Sequence, residues 1–440
     1  MRKQSIAFFV LVCILTVGFA GAAEKSAPLN VLDFGAVGDG QTDNTAAFQK
    51  ALDAAAASDV QTVFAPRGNY RFNGSLDFPR GVTLKGVWES VPAHNGIRDK
   101  GLIKPTDDGT TFLVCGNAGE ENKEPFITLK TNCTLKGVCI YYPDQNEDDV
   151  PVAYPWTIAM KEKNPAILEC ELLNPYRGID TTTSERHLIR NISGQPLRLG
   201  VYVDSIYDIG RIENVHFNPW WSMKPKLFDW QMKNGEAFVF GRTDWQYVHN
   251  TFCFGYNIGY RFIETPAGVT NGNFLGIGAD DCYTAIQIDQ CAPMGLLITN
   301  GEFVSFHGPD PTMVRVSPTN KGVVRFSNCA FWGPCRQIGV VEGKGTVGFS
   351  DCTFVQWAYK DKEEGQARSN AKDRTDDPAL KLLGGTVLVR GCDFQDIKPH
   401  ILLGKDVKKA VVSENVFKGK VQIDNQSESK SISIQGNVGD

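Results

Sequence analysis

The chain has 440 residues, 42% of them apolar and 22% charged, a balance that excludes a disordered or collagen-like chain. A formal net charge of −5 with no basic stripe excludes a general nucleic-acid binder. The length fits one long β-rich domain or two to three smaller ones.

The first residues read as a targeting segment. Arg2 and Lys3 precede an apolar run from Ile6 to Ala20, broken only by Thr16 and Gly18, and small residues Ala20 to Ala23 follow. That order predicts a secretory signal peptide over residues 1–22, cleaved near Ala22 or Ala23. A run of about 15 residues is short for a bilayer span, which needs roughly 20. The expectation is therefore a secreted or periplasmic protein with no membrane insertion, its single domain at 23–440.

Next, Asn44 to Ala57 places Ala47, Phe48, Ala51, Leu52 and Ala55 on one face, with Asp43 or Asn44 as cap. This is the one clear helix, and it predicts a cover for the open end of a sheet. Residues 143–155, PDQNEDDVPVAYP, form an acidic loop without the Gly-centred spacing of a calcium site. Residues 359–378 are almost wholly polar and read as a mobile loop.

From the middle onward, short strand-like segments share an ending. RIENVHF, YVHNTF, VTNGNF and LITNGEF close at Phe217, Phe252, Phe274 and Phe303. VRFSNCAF, TVGFSDCTF, TVLVRGCDF and VVSENVF close at Phe331, Phe354, Phe394 and Phe417. The closest endings lie 21 to 23 residues apart, counting Val438 of ISIQGNV as a ninth. A unit of this length with short strands and polar turns is one coil of a β-helix, which buries its inner face only by stacking. The fold class is all-β: a single-stranded right-handed parallel β-helix with an N-terminal capping helix.

Two residues before the endings stand Val215, Asn250, Gly272, Gly301, Cys329, Cys352, Cys392 and Asn415, small or polar side chains expected to stack at a tight corner. Cys139 and Cys170 have the same spacing to Tyr141 and Leu172. Most of the twelve cysteines thus read as buried, reduced core residues. An exported chain can also form disulfides, and Cys133/Cys139 or Cys329/Cys335 are near enough in sequence. No pair has zinc-site spacing, so no metal is assigned.

NVLDFGAVGDGQTDNTAAFQKAL, Asn30 to Leu52, resembles the opening motif of the pectate-lyase-like (pectin-lyase-like) β-helix superfamily, to which polygalacturonases and phage tailspikes belong. The middle segment GRTDWQYVHNTFCFGYNIGY is similar to bacterial proteins related to polygalacturonases. Asp280, Asp281 and Cys282 resemble the paired-aspartate element of those inverting hydrolases, and His307 with Gly308 part of their histidine element. GYNIGYRF stands where their first aspartate element falls, and no Arg-x-Lys follows His307.

Glycoside hydrolysis needs an acid for the leaving oxygen and a carboxylate for water or for the sugar itself. Asp280 and Asp281 fit as a pair in which one carboxyl stays protonated, with His307 one coil onward. The region 204–264 interleaves carboxylates with Trp220, Trp221, Trp230 and Trp245, four of the eight tryptophans. Flat rings stack on sugars, so these four are expected in a loop beside a groove, with Arg242 and His249 as further substrate contacts and Asp244 as an extra catalytic carboxylate. The residues leave a lyase open, with Arg242, Tyr247 and His249 neutralising and deprotonating a uronate. A hydrolase needs no cofactor; a lyase brings Ca2+ into question. A non-catalytic glycan-binding β-helix is the remaining alternative. The partner is a polysaccharide, and the chain a monomer or homotrimer.

Overall fold

The computed structural model describes residues 27–94, 98, 108–308, 310–359 and 375–440. The expected signal peptide at 1–22 and most of the polar loop at 359–378 lie outside them. Nearly every described strand joins one sheet through in-register parallel pairs, the topology of a parallel β-helix. Each coil contributes three strands. The first row includes Arg211–Phe217, Thr243–His249, Thr270–Leu275, Leu296–Thr299, Val323–Ser327 and Thr346–Ser350. The second includes Phe252–Phe254, Gly278–Asp280, Glu302–Phe303, Ala330–Trp332 and Thr353–Val355. The third includes Glu236–Phe240, Ile258–Phe262, Thr284–Ile288 and Thr312–Val316.

Helix α1, Thr45–Ala56, covers the first coils as expected. Its buried face is Phe48, Ala51, Leu52 and Ala55, and the Phe48 ring meets Tyr70, Phe72 and Phe112 edge-on at 5.1, 5.0 and 5.5 Å. Asp43 rather than Asn44 caps it, accepting from the Thr45 N–H. A second helix, α2 at Pro225–Asn234, carries the FDWQ segment that the sequence reading placed in a loop. Pro225 opens it where a missing N–H costs nothing. The acidic loop docks on its start through Lys224 to Glu147 and Asp148 and Lys226 to Asp149.

The aromatic ladder is real but shorter than the spacing implied. Phe303, Phe331, Phe354, Phe394 and Phe417 are successive in-register partners, with ring centroids 4.6–5.5 Å apart. That separation follows from the 4.7–4.9 Å step between strands. Upstream the ladder runs through Ala279 and Cys253 to Phe217, not through Phe252 or Phe274. Phe252 is one residue out of phase and faces outward, whereas Phe274 belongs to the first row, paired with Ile298. At the C-terminus Gly439, not Val438, is the partner of Phe417.

The corner between first and second rows turns on left-handed residues. Asn214, Asn250, Asn300, Asn328 and Asp351 have φ between 51° and 56°, and Gly276 and Gly391 fill the same place. Asparagine tolerates that region, and here its amides also stack: Asn328 Nδ2 donates to Asn300 Oδ1 at 2.8 Å, and Asn214 Nδ2 to Asn191 Oδ1 at 2.8 Å. The residue after each corner faces inward. Cys329, Cys352 and Cys392 stack there, followed by Asn415, whose Nδ2 donates to Val389 O and to Asn437 Oδ1. All eleven described cysteines are free, so neither candidate disulfide forms. Burial pushes the Cys170 and Cys291 thiols up to about 12, as fits inert packing residues. Cys139 departs from this pattern. Its partner is Glu171, not Cys170, and it faces outward from the second row beneath a covering segment.

Candidate functional site

A β-helix strand exposes every second side chain, so parallel register lines up outward residues of successive coils. On the second row one such line runs Thr111, Cys139, Glu171, Ser193, His216, Phe252, Gly278, Glu302, Ala330. Its first four members are buried: His94 N–H donates to Glu171 Oε1 at 2.8 Å, Ser193 Oγ donates to Pro92 O at 2.9 Å, and Trp221 and Leu227 pack with Cys139. Beyond His216 none of the described residues covers the line, and they leave a groove of about 380 Å³.

Asn250, Phe252, Asp280, Asn300, Glu302 and Trp332 line this groove. Asp280 and Glu302 bring two carboxylates to one face, on neighbouring strands. The Trp332 indole donates from Nε1 to Glu302 Oε1 at 2.8 Å, fixing that carboxylate and placing an aromatic ring beside it. Neither Glu302 nor Trp332 stood among the sequence candidates. The coil pattern carried the signal, since each sits next to an inward phenylalanine and must therefore face out.

The adjacent aspartates part company. Asp281, 4% exposed, adopts a left-handed φ of 54° and its Oδ1 contacts His307 Nδ1 in the turn after the second row. Asp280 lines the groove, whereas Asp281 turns to His307 and is not among the lining residues.

Asp244 and Trp245 lie elsewhere, in a separate depression of about 310 Å³ at the start of the first row, beside Asn271, Met294 and Leu297. Asn271 holds this tip, donating to Asp244 Oδ1 at 3.2 Å and accepting from the Trp245 N–H at 2.8 Å. Trp245 is 59% exposed. The expectation that four tryptophans line one groove fails. Trp221 is 2% exposed and packs with Cys139, Tyr141 and Leu227. Trp230 leans on Tyr176 from α2, and Trp220 lies over the His216 ring at 4.7 Å. Arg242 places its guanidinium over Tyr207 at 5.1 Å, away from Tyr247 and His249, which face out from the first row. The arginine that is the in-register partner of Tyr247 is Arg211, and His249 pairs with Glu213. Among the described residues no helix is long and apolar enough to cross a membrane.

Residues 29–207 match the family model described as Rhamnogalacturonase A/epimerase, pectate lyase-like. The bacteriophage Phi29 gene product 12 N-terminal fragment aligns over 93% of this chain and 71% of its own, with 12% identity and a TM-score of 0.59. The Azotobacter vinelandii mannuronan C-5 epimerase AlgE4 A-module aligns over 94% and 100%, with 15% identity and a TM-score of 0.50. Residues 29–207 thus carry the family likeness, and the structural likenesses over nearly the whole chain show the parallel β-helix fold.

Among curated proteins, A. vinelandii mannuronan C5-epimerase AlgE2 is 42% identical over 93 residues, 21% of this chain and 9% of that protein. Alginate lyase 7 of the same organism is 56% identical over 96 residues, 22% and 11%. The match thus spans only about a tenth of the length of these relatives.

Proposed function

We propose that the chain is an exported enzyme that cleaves a polysaccharide in the second-row groove, by glycoside hydrolysis. The observation that carries this reading is the meeting of Asp280, Glu302 and Trp332 in one open channel. Glu302, whose Oε1 accepts the indole N–H, takes the role of base or nucleophile, and Asp280, half-buried, that of the acid that protonates the leaving oxygen. Trp332 and Phe252 offer ring surface for sugar faces, and Asn250 and Asn300 amides for hydroxyls. Similarity to an alginate lyase and to mannuronan epimerases supports a uronate-bearing glycan as substrate.

A second reading, β-elimination, draws on the outer face of the first row. Arg211 beside Tyr247, with His249 one step along, sets a cation for a uronate carboxylate next to two proton-transfer groups. One assay separates the readings. The protein is incubated with neutral and uronate-bearing polysaccharides while reducing ends and the ultraviolet absorbance of unsaturated uronates are followed, with and without chelator. Reducing ends alone, lost in Asp280→Asn and Glu302→Gln, support hydrolysis. Both signals together, lost in Tyr247→Phe and Arg211→Ala, move the site to the first row. Binding without either signal would leave a glycan-binding β-helix and overturn both.

A further inference from the structure

The covered stretch of the second row holds a cluster that the proposed reaction does not use. Cys139 and Glu171 are in-register partners on adjacent strands, so the sheet fixes their outward side chains next to each other. His94, from the segment lying over them, completes a group in which Nδ1, Sγ and a carboxylate oxygen all lie within 4.8 Å of one another. All three residues are buried. Glu171 Oε1 accepts the His94 backbone N–H at 2.8 Å, which fixes the carboxylate and leaves Oε2 turned to the imidazole. Among the described residues no other group of histidine, cysteine and carboxylate donors converges in this way.

We propose that His94, Cys139 and Glu171 form a zinc site that fastens the 87–94 segment to the sheet. The donor set selects the metal. One imidazole nitrogen, one thiolate and one carboxylate suit zinc, whereas calcium and magnesium take oxygen ligands. Zinc binding releases the thiol proton to solvent and forms a Zn–S bond, with no change in oxidation state. Three protein ligands leave the fourth tetrahedral position to a solvent oxygen. The other buried cysteines differ: Cys329, Cys352 and Cys392 turn their sulfurs to backbone carbonyls inside the coil.

The test uses the full chain, purified reduced, stripped with chelator and reloaded with Zn2+ or Co2+. Expected are about one zinc per chain after dialysis and a thiolate-to-cobalt charge-transfer absorption in the near ultraviolet. Cys139→Ser abolishes that absorption, and His94→Gln weakens zinc by more than the roughly 10–100-fold typical of an outer-shell change. Cys115→Ser, at a half-exposed cysteine outside the cluster, leaves both signals intact. Because a buried variant can fail to fold, the wild-type cobalt spectrum decides on its own. Folded wild-type protein with zinc no higher than the blank, or cobalt bound without the thiolate band, overturns the proposal. So does a folded Cys139→Ser variant with unchanged stoichiometry and spectrum.

Discussion

Replacing Phe331 and Phe252 separately by alanine tests the register on which the site rests. Phe331 is fully buried, and its ring meets Phe303, Phe326, Phe349 and Phe354 at 5.3, 5.7, 6.0 and 5.5 Å. A phenylalanine buries about 150–250 Å², which at roughly 25 cal/mol per Å² makes its loss about 4 kcal/mol, within the usual Phe→Ala range. Neighbouring coils hold the backbone, so the cavity cannot collapse. Phe252 is half-buried on the outer face, against His216 at 4.9 Å, and water can replace its ring. Its removal should cost only about 1–2 kcal/mol, since part of the transfer term and all of the cavity term are absent. Yet Phe252 lines the groove, so Phe252→Ala should raise KM while Phe331→Ala acts on stability. Denaturant midpoints by far-ultraviolet circular dichroism give the comparison. Equal losses, or a larger one for Phe252→Ala, would refute the assigned phase and with it the outward placement of Asp280 and Glu302.

Asp280→Asn and Glu302→Gln should each lower turnover by about 10²–10⁴ with unfolding midpoints little changed, measured by reducing-end release. At the corner, Asn328→Ala should destabilise by about 1–2 kcal/mol and Asn328→Gly by much less, because only the former forces a Cβ-bearing chain without a polar tip into a φ of 52°. Acid should weaken the fold in a defined window. His187 is fully buried, its Nδ1 donating to Ser184 O at 2.8 Å, and burial lowers its pKa to about 4. The unfolded chain takes up its proton first, so the contribution of neutral His187 is complete above about 6.5 and falls away as pH drops toward 4, about 3 kcal/mol in all. Urea midpoints of wild type and His187→Asn across pH 7 to 4 should converge on the acid side.

The coil and its capping helix were legible because each depends on a local period: 3.6 residues over Thr45–Ala56, and the 23-residue return of an inward phenylalanine from Phe331 to Phe354 and from Phe394 to Phe417. The phase of individual coils was not. YVHNTFCF offers Phe252 and Cys253 as alternative inward residues, and the choice is made by Asn250, whose left-handed turn comes one residue closer to the phenylalanine than Asn328 does to Phe331. Helix α2 hid behind Trp220 and Trp221, which suggested ligand stacking although Trp221 fills the outer face beneath α2. Adjacent Asp280 and Asp281 looked like a pair in sequence, but a strand end followed by a left-handed residue sends neighbouring side chains different ways. Glu302 and Trp332 are 30 residues apart and meet only because successive coils stack.

The position of the groove follows from where the second row loses its cover. From Thr111 to Ser193 the outward line is buried, with His94 and Pro92 on Glu171 and Ser193 and Trp221 on Cys139, and the Arg98 backbone N–H donates to Trp220 O at 3.3 Å. Small or polar side chains at those places, Thr111, Cys139, Glu171 and Ser193, let the covering backbone approach. Past His216 the same line carries a phenylalanine, a glycine and Glu302, and nothing described lies over them. Gly278 is what gives the channel its depth: a Cβ there would stand 3.0 Å from the Phe252 ring. One repeated geometry thus yields two environments. A dry stretch gathers metal-binding donors, and a wet one sets carboxylates beside aromatic rings. Gly278→Val should therefore fill the channel and abolish cleavage while leaving zinc content unchanged, a separation that a general loss of folding would not produce.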